Sequence, residues 1–114
     1  MSLGDALVDR VLAEFTAAEL SLHSADPGKD GAHEVDGYNR HTPPQWERTG
    51  EGGMRTAEDV LFSGLPRTSV RYVGFWGAGA FLGGKQVVQR DVQAGDSVII
   101  RAGELAVYQL MVGD

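Results

Sequence analysis

The chain has 114 residues, 42% of them hydrophobic and 23% charged, with a formal net charge of −6. That is one domain's length, able to bury roughly two thirds of its unfolded surface, and its composition excludes wholesale disorder. Cysteine is absent, which removes disulfides, thiolate metal sites and cysteine nucleophiles together. The acidic balance argues against nucleic acid as a partner. No run approaches the about twenty apolar residues of a membrane span, and the first residues lack the basic-then-apolar order of a signal peptide.

The first twenty residues carry the clearest helical period. Leu3, Leu7, Val8, Val11, Leu12 and Phe15 recur at three- and four-residue steps and predict an amphipathic helix over residues 3–18. Ser2 and Asp5 have capping-box spacing, and Asp9, Arg10, Ala13 and Glu14 fall on the solvated side. Leu20 and Leu22 then alternate with Ser21 and His23, as in a short half-buried strand. Asp26-Pro27-Gly28 closes it with a turn.

From Lys29 to Ala57 there is almost no apolar period, and Val35, Tyr38, Trp46 and Met54 stand isolated among polar residues and glycines. A stretch of that length predicts a long loop that docks on a surface. Tyr38, Arg40, Trp46 and Arg48 are its expected interface anchors, because aromatic and arginine side chains dominate interface hot spots. The alternative is a loop folded back on its own sheet, with Trp46 filling a surface groove.

Residues 58–114 read as strands. Val60 and Phe62 begin one. Val70, Tyr72, Gly74 and Trp76 alternate with Arg71, Val73 and Phe75 in a strand apolar on both faces, hence central. A turn at Gly77-Ala78-Gly79 leads to Ala80-Phe81-Leu82, and Gly83-Gly84 reads as a hairpin before Val87-Val88. Turns at Ala94-Gly95-Asp96 and Ala102-Gly103 bracket Val98-Ile99-Ile100, and Leu105, Val107, Gln109 and Met111 alternate to the end. The expected fold is a single mainly β domain, an antiparallel sandwich or barrel-like sheet with one N-terminal helix and a long loop.

No residue pattern closes a catalytic or metal site. His23, Asp26, Asp30, His33, Glu34, Asp36 and His41 form the densest titratable group, but Gly37 stands where the second histidine of H-E-x-x-H would fall, and the spacing is not that of a calcium loop. No Gly-x-Ser-x-Gly elbow is present. Glu47 with Glu51 or Asp59 reads as solvated surface rather than a glycosidase pair. Gly77, Gly79, Gly83 and Gly84 precede no helix that could hold a phosphate. Tyr72 and Trp76 belong with the core, which leaves Trp46 as the better exposed aromatic. The expectation is a non-enzymatic protein with no metal and no cofactor.

The order of these segments resembles a family of small virion proteins of tailed bacteriophages, commonly labelled tail-fibre or structural proteins. Leu20-Ser21-Leu22-His23-Ser24-Ala25-Asp26-Pro27-Gly28 is similar to its "LHTADPG" segment. Glu34-Val35, Gly37-Tyr38 and Arg40 are similar to "EV-GG-YAR". Val73-Gly74-Phe75-Trp76 and Phe81-Leu82-Gly83-Gly84 resemble "HFGIWD" and "FLGG", and Ala94-Gly95-Asp96-Ser97 with Ala102-Gly103-Glu104-Leu105 resembles "AGDTLTIPAGALTV". The resemblance covers about residues 20–108; His41-Thr42-Pro43-Pro44 departs from it. It implies a structural part of the virion, a capsid decoration or a minor tail or fibre-base subunit. The implied partners are major capsid or tail proteins and other copies of the chain, a trimer being the expected self-association. The alternative is a receptor- or carbohydrate-binding module at the tail tip.

Overall fold

Helix α1 spans Asp5–Thr16 in a computed structural model that describes residues 5–50 and 52–107. Leu12 and Phe15 are buried and Val11 packs against the same core, while Asp9, Arg10, Ala13 and Glu14 face outwards. Leu7 was expected on the packed stripe but is 42% exposed. Leu3 and the Ser2 capping box lie outside the described residues. The helix stops two residues short of the expected Ala18, where the Ala18 N–H bonds the Phe15 carbonyl at 3.2 Å. That three-residue closure tightens the last turn.

Among the described residues eight strands follow: β1 Glu19–His23, β2 Trp46–Arg48, β3 Met54–Thr56, β4 Val60–Phe62, β5 Thr68–Gly77, β6 Ala80–Val92, β7 Val98–Ile100 and β8 Ala106–Val107. They form three antiparallel sheets, ordered β1-β5-β6, β2-β3-β8 and β4-β7. The architecture is mainly β and sandwich-like, as the strand and turn spacing predicts. The stretch 29–57 is not without structure, however. It contains β2 and β3, paired through Glu47↔Arg55 with an exposed ion pair at 2.8 Å. Gln109 and Met111, expected in the last strand, lie outside the described residues.

Strand β5 is central, as its two apolar faces require. Leu20 and Leu22 pair with Phe75 and Val73, and this face meets the helix: the Phe15 and Phe75 rings stand edge-on at 5.2 Å. Ser21 and His23 pair with Gly74 and Tyr72 and were expected to face solvent. Instead both are fully buried, because the segment after β1 folds back over them.

The β5–β6 hairpin turns at Ala78-Gly79, both with positive φ (52° and 82°), the geometry of a type I′ turn. Gly83 and Gly84 make no second hairpin. Strand β6 continues through them, paired with Phe75 and Gly74. The register shifts at Leu82 and again over Val87–Gln89, so the free edge of β6 is broken by bulges that discourage a further strand. Strands β4 and β7 turn Val60, Phe62, Val98 and Ile100 inwards. Among the described residues no helix is long and apolar enough to cross a membrane.

Candidate functional site

The strongest concentration of polar chemistry lies where residues 24–41 cover the β1–β5–β6 sheet. The Asp26-Pro27-Gly28 turn forms as expected, its Asp26 carboxylate accepting the Gly28 N–H at 2.9 Å. The chain then returns along β1. The Val35 N–H donates to the Leu22 carbonyl, and Leu20 and His41 exchange both backbone bonds, each at 2.9 Å. This pairing closes the outer edge of β1 and carries Glu34, Tyr38 and Arg40 over the sheet.

Beneath the covering segment the polar atoms form a chain. The Ala32 carbonyl can only accept, so His23 Nδ1 carries its proton and donates to it at 2.8 Å. Nε2 then accepts from the Ser21 hydroxyl at 2.7 Å, and Ser21 Oγ accepts from the Trp76 indole N–H at 2.8 Å. Burial holds the His23 imidazole below its ordinary value of 6.5, because the buried ring resists taking a charge. The close packing needs glycine at two points. A Cβ on Gly74 would overlap the His23 ring and the Ser21 hydroxyl, and one on Gly31 would strike the Trp76 ring.

Above it sits a charged cluster. Arg40 binds the Glu34 carboxylate with both forks, Nε to Oε2 at 2.9 Å and Nη2 to Oε1 at 2.7 Å, and its guanidinium lies 3.9 Å from the Trp76 ring centre, a cation–π arrangement. The Tyr38 hydroxyl donates to Glu34 at 2.7 Å and accepts the Leu22 N–H at 2.8 Å. Arg40, before all else, holds the Glu34 carboxyl below its usual range. Burial, and then the Glu34 bond, push the Tyr38 hydroxyl well above its own.

The arrangement brings together two of the expected anchors, Tyr38 and Arg40, and spends both on their own chain. Trp46 is not the exposed aromatic that its polar surroundings suggested. It is half-buried on β2, its ring 6.3 Å from Phe75, and its indole N–H is buried without a partner. Arg48 is exposed at the end of β2. Tyr72 and Trp76 are half-buried rather than core.

Residue reasoning assigned no nucleophile to any histidine, yet Ser21 stands within hydrogen-bond distance of His23. Their i, i+2 spacing on a strand, which puts both on one face, was the available signal. The pair is sealed: both residues are fully buried, and a neutral carbonyl occupies the position where a triad needs a carboxylate. Its chemistry is to pin a loop. Among the described residues no three His, Asp or Glu side chains are grouped so as to hold a metal ion, and the expected titratable group is dispersed, with Asp26, Asp30, His33 and Asp36 all exposed.

Compared with known proteins, the chain matches no family model, and no curated protein matches it in sequence.

Proposed function

We propose that this protein is a non-enzymatic structural subunit of a tailed-bacteriophage particle, held in place by packing against other virion proteins. One observation carries the reading: segments of the phage-like pattern that are far apart in the chain meet in a single cluster. His23 and Pro27 come from the first segment, Glu34, Tyr38 and Arg40 from the second, Gly74 and Trp76 from the third, and Phe81 and Gly84 from the fourth. Trp76 and Phe81 stack edge-on at 5.1 Å, and Pro27 lies against Gly84 where a Cβ would strike it. The later turns bind the fold in the same way. Gly95 donates to the Leu65 carbonyl at 2.7 Å, and Gly103 to that of Thr56 at 2.7 Å.

A motif set that closes on itself in this way supports a scaffold over a reaction centre. It also disfavours the carbohydrate-binding alternative. A sugar platform needs free aromatic faces, and among the described candidates Trp46 packs on Phe75, Tyr38 on Phe62 and Trp76 under Arg40, while Tyr72 is half-buried on β5.

The test is proteomic analysis of purified particles, followed by imaging of particles that lack the chain. The proposal expects the protein in the particle at stoichiometric amounts and a defined loss of density at head, collar or tail when it is absent. Particles of full composition without a copy of it would refute the proposal. A positive glycan-binding screen on the purified protein would transfer support to the receptor-binding alternative.

A further inference from the structure

The β4–β7 ribbon turns one face into the core, and no element among the described residues packs over its other face. At its centre Leu61 and Ile99 are cross-strand partners, 50% and 40% exposed. At one end Asp59 and Arg101 form an ion pair at 3.3 Å, with side chains 49% and 71% exposed. At the other end Ser63 and Ser97 are both exposed. The face therefore carries an acid and an apolar side chain on one strand, and a base and an apolar side chain on the other.

That distribution is self-complementary for one symmetry operation. A two-fold axis running along the strands sets β4 of one copy against β7 of the other. Asp59 then faces Arg101 of the second copy twice over, and Leu61 faces Ile99. A two-fold across the strands would instead set Leu61 against Leu61 and leave each ion pair opposite the serines. Only the first operation matches charge with charge and apolar with apolar, which is how isologous interfaces reject wrong registers. The other long exposed feature, the edge of β6, is broken by its bulges and offers no continuous ladder.

We propose that the outer face of the β4–β7 ribbon is a contact between two copies of this chain, related by a two-fold axis along its strands. The inference does not depend on the virion reading. Six residues a side fall short of the about 20–30 that stable interfaces use, so the pair is weak in free solution. It becomes effective where many copies are held together.

Two measurements test it. The chain has no cysteine, so Leu61→Cys and Ile99→Cys can be introduced singly. They would be joined with a short bismaleimide suited to the about 10 Å spacing of packed sheets. Each variant and their mixture should cross-link several-fold faster than Val88→Cys, an exposed control on β6, because the axis sets like and unlike positions of the two copies about 10–11 Å apart. Rates no better than the control would overturn the proposal.

In sedimentation at concentrations up to about 1 mM, a range chosen for weak contacts, Asp59→Arg and Arg101→Asp should each weaken association about tenfold. Mixing these two variants should restore it. Mixing cannot restore the intrachain ion pair, so recovery reports the intermolecular one. No recovery, or a trimer indifferent to these substitutions, would overturn the two-fold contact.

Discussion

Replacing Glu34 with alanine removes one carboxylate and three bonds at once, from Tyr38 Oη and from Arg40 Nε and Nη2. A hydrogen bond to a charged group contributes about 1.5–3 kcal/mol. These three share one acceptor group, and the Arg40 and Glu34 side chains keep 32% and 23% of their exposure, so solvent competes and the contributions do not add. The net cost should be about 2–3 kcal/mol, most of it from an arginine left over Trp76 without its counter-charge and a Tyr38 hydroxyl without an acceptor. With a urea slope of about 1–3 kcal/mol/M for a small domain, the denaturation midpoint should fall by about 0.7–3 M. Hydrogen exchange should locate the loss. The Val35 and His41 amides, which hold the returning segment on β1, should lose protection, while the β5–β6 amides change only with global stability. The pH dependence should change as well. Glu34 titrates below its ordinary 4.5, chiefly because of Arg40, so its contribution is present above pH 4.5 and is lost as pH falls through the depressed value. The variant should lack that part of the acid slope. An unchanged midpoint with Val35 and His41 still protected would refute the idea that this cluster fastens the loop.

Further outcomes follow from the same geometry. Because burial depresses the His23 imidazole below 6.5, wild-type stability should decline as pH falls below about 6.5, and urea titrations at pH 7.5 and 5.5 should show that His23→Gln removes this slope. Gly74→Ala, which forces a methyl into His23 and Ser21, should cost about 1–3 kcal/mol in a thermal melt. Phe15→Ala should cost about 3–5 kcal/mol by emptying the helix–sheet contact against Phe75, read as lost stability with retained sheet signal. Ala78→Asn should raise the melting midpoint, gaining up to about 1 kcal/mol, since Ala78 has φ 52° in a turn position that favours asparagine.

The parts of the fold that periodicity reveals are those whose packing partner is set by hydrophobicity alone. Leu12 and Phe15 need an apolar surface and find one, and β5 is central because Val73 and Phe75 on one face and Trp76 on the other leave it no wet side. The failures are also physical. Gly83-Gly84 has the composition of a hairpin, but a turn and a site of close approach both select glycine, and only the position of Pro27 distinguishes them. Strands β2 and β3 are three residues each, too short for an alternation to register, and they exist because β3 pairs on both sides, with β2 and β8.

The site was half legible for a related reason. A tyrosine and an arginine on an otherwise polar loop promise a docked surface, and the loop does dock. Residue type does not say whose surface it is, because the same aromatic and arginine chemistry anchors a loop to its own sheet or to a neighbour. The deciding feature lies elsewhere in the chain, in β1. A strand whose polar face carries Ser21 and His23 opposite Gly74 presents a hollow with a donor and an acceptor in it. Water could fill such a hollow only by leaving the Trp76 ring exposed beside it. The segment 24–41 fills it instead: the Ala32 carbonyl takes the histidine proton, and Arg40 covers the tryptophan face. With the Glu34–Arg40 pair satisfied inwardly, the cross-strand pair Leu61 and Ile99 on the β4–β7 ribbon is the exposed apolar pair among the described residues that the proposed contact would cover.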